Sequence, residues 1–345
     1  MWRNRWHNCA RKKVGAMGSA AELYTYPVDA QTPAARAARE GCLCRLRGPT
    51  EECNQSEHRG ARAFVNLVQY RDLRRTYARA KIPLGLCSIL IRAKEDNRPW
   101  IVCPHRLFYA GPHSTSVEQY IYRQWGLARN DKVGLWKEIK ISVSEQGKHF
   151  DYTFDYVFRK VEAEHPRRFG NTPFLVEIMT VSTSGGGVEE CFVSALRGDP
   201  AETRTSVNYR QVLARMMSQF VAKAQVAHEW GGKAVWIVQD LFWNYVCRTT
   251  GFSMDMFHDD PNGNVVMLVK KLETGGYDRR RPGHDQFRLG LDRILRGWDR
   301  FERSQQQSNV GRDFASVLNA PFTPDVSAVL EATDARNPVA VLTCA

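Results

Sequence analysis

Apolar and polar residues alternate in two segments in the middle of the chain and are followed by an apolar run of strand length, and these three segments predict three successive strands. The strands cover residues 135–143, 147–161 and 174–181, where aromatic and β-branched residues favour the extended conformation. Residues 206–230 follow with apolar positions at helical spacing, which predicts a long helix. Residues 233–240 then form a continuously apolar run, which is typical of a buried strand.

Further segments on either side of this run show the spacing of single helices or short strands. The predicted helices are 62–80, 116–128, 241–251 and 284–303. Residues 82–92 and 98–108 are predicted to be short strands or turns, and 264–272 is a further predicted strand. Residues 1–19 are expected to be a tail, and the last forty residues show little pattern. This order of strands and helices predicts a mixed α/β (α+β) core.

One acidic residue, Glu177, interrupts the apolar strand 174–181. A carboxylate is costly to bury unless it is paired or holds a metal ion. Glu177 has apolar neighbours on both sides, so a solvated position for it is hard to reconcile with the pattern.

The two preceding strands also carry acids, and residues of equal parity on a strand share a face. Asp151 and Asp155 share a face of the second strand, and Glu138 shares a face of the first with Lys140. Together with Glu177, such acids would supply the oxygen ligands that Mg²⁺ prefers. The alternative is that they face water, and for Asp151 this is the favoured interpretation.

The charge balance favours a polyanionic partner. Lys and Arg number 49 against 37 Asp and Glu, a net charge of +12, and neutralising phosphates supplies much of the affinity of proteins for nucleic acid. We expect no transmembrane helix and no secretory signal, and therefore a cytoplasmic protein. The basic N-terminus is either an arm or an upstream extension before a start at Met17.

Cysteines cluster in the N-terminal third of the chain. Five of the nine lie between residues 42 and 103, namely Cys42, Cys44, Cys53, Cys87 and Cys103. A disulfide framework is not expected in a cytosolic chain, so the clustering indicates a tetrahedral thiolate metal site. Such a metal would stabilise a segment that shows no sustained periodicity.

The spacing of the acids also has a counterpart among nucleases. An acid on one strand followed by Glu on the next, here with an interval of 22 residues from Asp155 to Glu177, is the layout of PD-(D/E)xK nucleases. The lysine that usually follows the Glu by two residues is replaced by Met179. Over residues 20–272 the chain resembles the NotI family of type II restriction endonucleases. The segments that carry this resemblance are GCLCRL, EEC, IPLGLCS, WIVCPHRLF, KEIKIS, FDYTFDYVF, FLVEIMTVSTSGG and VNYRQVLARMMSQFVAKAQ with VWIVQD.

The resemblance implies a domain plan and an activity. Residues 20–110 would form a small region with a four-cysteine metal site, and residues 111–345 a PD-(D/E)xK restriction-endonuclease-like core with a mixed central sheet and a C-terminal extension. The enzyme would act as a homodimer that uses Mg²⁺ to hydrolyse double-stranded DNA at a GC-rich palindrome.

The resemblance also implies which residues form the two metal sites. The thiolates of Cys44, Cys53, Cys87 and Cys103 would hold a structural metal, with Cys42 as an alternative to Cys44. The family favours iron, whereas thiolate ligands alone leave zinc equally possible. The catalytic Mg²⁺ would be held by Asp155 and Glu177, with Glu138 in support.

Position 179 leaves alternatives open, because methionine neither binds Mg²⁺ nor orients water well. Lys140 would replace the missing group from the neighbouring strand, or Met179 is a filler against the next layer. A DNA-binding protein on a nuclease scaffold with impaired catalysis is a second hypothesis, and a metal-stapled nucleic-acid module of another role is a third. Arg279, Arg280 and Arg281 are candidates for phosphate contacts, or equally a solvated charge run.

Overall fold

The structure is a computed structural model. It describes residues 17–46, 50–53, 64–92, 98–108, 116–145, 148–163, 168–184, 187–229, 232–250, 265–274, 287–297 and 326–344. The strands in these residues are β1 (Gly18–Leu23), β2 (Tyr26–Pro27), β3 (Phe64–Asn66), β4 (Lys81–Pro83), β5 (Leu86–Ile91), β6 (Trp100–Ile101), β7 (Lys132–Glu145), β8 (Lys148–Lys160), β9 (Phe174–Met179), β10 (Thr183–Ser184), β11 (Ser206–Val207), β12 (Lys233–Gln239), β13 (Val265–Thr274), β14 (Phe287–Gly297) and β15 (Ala340–Thr343).

The helices in the same residues connect or cover these strands. They are α1 (Pro33–Gly41), α2 (Arg71–Tyr77), α3 (Pro104–Phe108), α4 (Ser116–Gln124), α5 (Val188–Leu196), α6 (Tyr209–Glu229), α7 (Asp240–Thr250) and α8 (Val326–Asp334), and a 3₁₀ turn covers Leu67–Gln69.

A seven-stranded mixed sheet organises the centre of the chain, with the order β14-β13-β12-β9-β8-β7-β15. β7, β8 and β9 pair antiparallel, whereas β12 pairs parallel with both β9 and β13. The connection from β9 to β12 contains α6, because parallel neighbours need a crossover. The predicted mixed α/β fold with a mixed central sheet is therefore confirmed.

Helices cover both faces of this sheet. On one face, Val212, Met216 and Phe220 of α6 pack with Trp236 of β12 in a large apolar cluster, to which α7 also contributes. On the other face, α3 and α4 pack against alternate residues of β9, β12 and β13. This alternation places Val176 and Ile178 on the α3 and α4 side and leaves Glu177 on the opposite side.

A second, four-stranded sheet in the N-terminal segment has the order β2-β1-β5-β6. Its residues Leu23 and Leu86 belong to the same apolar cluster as Trp236 of the central sheet, so the two sheets share one core. The predicted domain boundary at residue 110 lies in 109–115, outside the described residues. Residues 1–16 of the predicted tail also lie outside them, whereas Gly18 and Ser19 already belong to β1.

Two helix predictions are wrong. Residues 287–297 form β14, antiparallel to β13, instead of part of a helix over 284–303. Residues 64–77 form β3, a 3₁₀ turn and α2, instead of part of one helix over 62–80. In that segment the Asn66 side chain accepts a hydrogen bond from Val68 N–H, which starts a turn and interrupts the helical pattern.

Candidate active site and cysteine cluster

Asp155 and Glu177 meet where β8 and β9 separate. The two strands pair at Tyr156 with Val176 and on toward Phe158, and Asp155 and Glu177 follow directly beyond the last pair. The Asp155 carboxylate takes over the role of a backbone acceptor here, because its Oδ2 accepts a hydrogen bond of 2.8 Å from the N–H of Ile178. The Asp155 N–H in turn donates to the Glu177 side chain. The backbone thus fixes the two predicted Mg²⁺ ligands side by side.

Glu177 is 3% exposed, so its carboxylate is removed from water. Burial raises its pKa from the usual 4.5 to about 8, and the nearby Asp155 adds to this rise, while Lys223 opposes it. The Lys223 ammonium lies 2.6 Å from Oε1 as its ion-pair partner, and no other described residue donates to this atom. The Glu177 carboxyl thus lies against both Lys223 and Asp155 at the point where β8 and β9 diverge.

Lys223 is the site residue that the sequence prediction missed. It lies on α6 and is 3% exposed, and its Nζ donates to the Thr153 carbonyl of β8 at 2.9 Å and lies 5.2 Å from the centre of the Phe154 ring. The sequence contains a signal for it, because Lys223 follows Phe220 by three positions on the apolar stripe of the helix. A lysine in such a stripe needs a buried partner.

The other predicted residues lie apart from this pair. Lys140 forms an ion pair of 2.7 Å with Asp151, and both side chains are more than half exposed. Glu138 lies at a positive φ of 51°, with its side chain 44% exposed and its Oε1 3.8 Å from Nζ of Lys137. Met179 is buried in the apolar cluster beneath α6. The structure thus brings Asp155 and Glu177 together and places Lys223, not Lys140, beside them.

The five clustered cysteines are all buried and lie in two groups. Cys42, Cys44 and Cys53 lie in one turn, where Cys53 N–H donates to the Cys42 carbonyl and Leu43 pairs with Glu52. The second group is Cys87 of β5 and Cys103 after β6. None of the described cysteines forms a disulfide.

The thiol of Cys87 connects the two groups electrostatically. A hydrogen bond with the Cys103 thiol and burial raise the pKa of Cys87 well above its usual range, and Glu22 and Cys44 raise it further. Its sulfur also accepts a hydrogen bond of 3.3 Å from the N–H of Thr25. The Cys42 thiol instead forms a hydrogen bond with the Tyr24 hydroxyl, and burial raises the pKa of this thiol.

Neither predicted metal site has a complete set of converging ligands among the described residues. Across the ranges that the structure describes, no three His, Cys, Asp or Glu side chains converge in an arrangement that could hold a metal ion. The donors nevertheless fit the predicted metals chemically, with two carboxylates at one place and buried thiols at the other.

Comparison with known proteins adds no assignment. No family model matches the chain, and no curated protein matches it. The described helices include none with the length and apolar character needed to cross a membrane. Arg279, Arg280 and Arg281, the candidates for phosphate contacts, lie outside the described residues.

Proposed function

We propose that this chain is a type II restriction endonuclease that hydrolyses duplex DNA at a GC-rich palindrome with Mg²⁺. The observation that carries the proposal is the fixed pair of Asp155 and Glu177 where β8 and β9 diverge. The element order supports a PD-(D/E)xK core similar to that of the NotI family: α4, the antiparallel strands β7, β8 and β9, then α6 and the parallel strand β12.

Asp155 and Glu177 fit a magnesium ion. Mg²⁺ is commonly held by one or two carboxylates, while water and substrate phosphates fill its other positions. The buried Glu177 carboxyl, which lies beside that of Asp155, is suited to such a ligand role. Glu138 belongs to this proposal as a supporting acid from β7.

The chain's own residues would prepare the site in three ways. The N–H of Ile178 holds the Asp155 carboxylate in one orientation, and the Asp155 N–H does the same for Glu177. Burial beneath α6 excludes water from Glu177, which strengthens every electrostatic interaction there. When bound, Mg²⁺ polarises the scissile phosphate and lowers the pKa of a water molecule.

Four thiolates are proposed to hold a structural iron or zinc ion, namely Cys44, Cys53, Cys87 and Cys103. Support comes from their burial and from the contact between Cys87 and Cys103. The N–H of Thr25 that donates to the Cys87 sulfur is the kind of outer hydrogen bond that orients a metal ligand. Such a site would stabilise the turn around Cys44 and Cys53 and hold it against β5.

A homodimer on DNA is the proposed assembly. A twofold protein matches a palindromic site, and each subunit would cut one strand. The net charge of +12 supports a phosphate-rich partner, so binding should weaken steeply as salt is raised. A chain that remains monomeric on its DNA would contradict this part of the proposal.

The test is cleavage of a GC-rich plasmid by the purified chain in Mg²⁺. Discrete fragments are expected, and Asp155→Asn and Glu177→Gln should abolish cutting while leaving DNA binding in Ca²⁺ intact. The matched control is Asp151→Asn, which changes a half-exposed carboxylate of the same strand and should preserve cutting. Full cleavage by either active-site variant would refute the assignment.

A second candidate is a DNA-binding protein on the same scaffold with impaired catalysis. It is favoured by one observation: Met179, at the position of the usual lysine, is buried in the apolar cluster and offers no polar group. Sequence-specific binding without any cutting by the wild-type chain would support this candidate over the first.

A further inference from the structure

We infer that Lys223 of α6 is the active-site lysine of this protein, supplied from the helix in place of the strand residue that Met179 replaces. This inference rests on the proposed nuclease function and assigns a catalytic residue to it. The group that Lys223 would contact is a non-bridging oxygen of the scissile phosphate.

The position of the ammonium is the first argument. Nζ of Lys223 lies 2.6 Å from Oε1 of Glu177 and 2.9 Å from the carbonyl oxygen of Thr153. It therefore touches both strands that carry the proposed Mg²⁺ ligands, two residues before Asp155 on one strand and at Glu177 itself on the other. The side chain is 3% exposed, so its charge acts with little screening by water.

The second argument is the desolvation cost of burying Lys223 and Glu177. Burying Lys223 against Glu177 costs more in desolvation than well-packed apolar side chains would, so this contact contributes little to stability by itself. Lys140, the other lysine considered for this role, is more than half exposed and is neutralised by Asp151. Of these two lysines, only Lys223 is buried and lies next to Glu177.

The chemistry needs such a cation. In hydrolysis the oxygen of water forms a new bond to phosphorus, the bond from phosphorus to one ester oxygen breaks, and the proton lost by the water ends on the leaving oxygen. Negative charge builds up on the non-bridging oxygens in the transition state. An ammonium that donates hydrogen bonds to one of them stabilises this charge and is already in place before the reaction.

A purely structural role for Lys223 is the alternative, in which it only neutralises Glu177. Lys223→Met separates the two roles by removing the charge at similar side-chain volume, and Lys223→Arg keeps the charge but moves the donors, since Arg and Lys differ in shape. Met179→Lys combined with Lys223→Met relocates the lysine to the same sheet face, two residues after Glu177. Lys140→Met is the matched control at the exposed lysine.

The experiment measures single-turnover cleavage of a GC-rich plasmid in Mg²⁺, DNA affinity in Ca²⁺ and thermal unfolding of each variant. Lys223→Met should lose about 100-fold or more in cleavage rate, as expected for removal of a transition-state donor, with DNA affinity changed by less than about threefold. Lys223→Arg should lose at least about tenfold although it keeps the charge. The relocated lysine should restore at least about tenfold of the rate lost in Lys223→Met.

Several results would overturn the assignment. Cleavage by Lys223→Met within about threefold of wild type would do so, as would a loss in Lys140→Met that Lys223→Met does not share. If Lys223→Met fails to fold, Lys223→Arg decides the question, because wild-type cleavage by that variant leaves only the structural role. A wild-type chain that cuts no DNA would instead refute the proposed function, and the inference with it.

Discussion

The buried carboxyl of Glu177 makes the stability of the protein depend on pH. In the folded chain its pKa is raised from the usual 4.5 to about 8, chiefly by burial. The unfolded chain loses this proton near its ordinary pKa, whereas the folded chain keeps it until about pH 8. The folded state thus binds more protons between these values, and the free energy of unfolding falls as the pH rises through this window.

The size of this effect follows from the difference of about 3.5 between the two pKa values. Each pKa unit corresponds to about 1.4 kcal/mol, so the full loss is of the order of 5 kcal/mol once the pH exceeds about 8. The steepest possible slope is about 1.4 kcal/mol per pH unit. The loss is complete above the folded pKa and absent below the unfolded one.

Glu177→Gln isolates this contribution, because glutamine has the same shape and no titrating proton. Urea unfolding in the presence of a chelator, followed by tryptophan fluorescence from about pH 5 to pH 9, gives the free energy of unfolding of both chains. At the acidic end both carry a neutral side chain at 177 and should be similarly stable. At the alkaline end the variant should be more stable by several kcal/mol. If the difference in free energy of unfolding between the two chains stays constant within about 1 kcal/mol over the whole pH range, the argument is refuted. Glu138→Gln, the same substitution at an exposed carboxylate, is the control.

Three further outcomes are expected. Mg²⁺ should raise the unfolding temperature of the wild type more at pH 8 than at pH 7, because ligand carboxylates must lose their protons. It should have little effect on Glu177→Gln, and an equal rise in both chains would contradict the ligand assignment. Cys44→Ser should lose the bound iron or zinc in elemental analysis and Cys42→Ser should retain it, because Cys44 contributes to the raised pKa of Cys87 whereas Cys42 forms a hydrogen bond with Tyr24; the reverse result would exchange the two residues. Arg159→Leu should cost at least about 2 kcal/mol in urea unfolding, because the buried guanidinium donates to the carbonyls of Phe169 and Gly170 and to Thr333 of α8, and a cost near zero would show that these contacts are dispensable.

The sheet and its crossover could be predicted from the sequence because their patterns are local. β7 and β8 alternate over most of their length, β9 is a short apolar run that is buried on both faces, and α6 places Val212, Met216 and Phe220 at helical spacing. Side-chain periodicity and a short apolar run each indicate the type of these elements. Strand parity placed both Asp151 and Asp155 as candidates beside Glu177, and the resemblance to the NotI family then selected Asp155.

β14 shows where that reasoning fails. Its register against β13 shifts between Val269 and Lys270, so one residue of β14 is left over and the alternation of apolar residues changes phase. The apolar positions Phe287, Leu291 and Ile294 then fall at helical spacing although the backbone is extended. Pairing with a neighbouring strand overrides such a local pattern, and the pairing is absent from the sequence.

Lys223 could not be assigned from the sequence for a related reason. Its place in the apolar stripe of α6 indicates burial, but the partner depends on how the helix crosses the sheet. Lys140, in contrast, was a candidate for the active-site lysine because it shares a strand face with Glu138. Strand parity does not give the distance between Lys140 on β7 and Glu177 on β9, which lies two strands away. The long-range packing of α6 decides between the two lysines.

The way buried charges are satisfied distinguishes Glu177 from the structural ions of the same protein. Lys270 is buried, but its Nζ donates to the carbonyls of Leu107 and Phe108, each at 2.8 Å. Glu22 is buried, but Arg106 donates to both of its oxygens.

Glu177 is buried next to the Lys223 ammonium, which lies 2.6 Å from its Oε1, and beside a second carboxylate, that of Asp155. Two polar residues that interrupt apolar patterns, one in β9 and one in α6, meet at this place, although a stable core would favour apolar residues at both positions. Natural sequences depart from local consistency in this way chiefly where a site must bind or react. The pair of carboxyl groups that the backbone holds side by side, one of them buried, is therefore the strongest structural reason to look for a metal ion there.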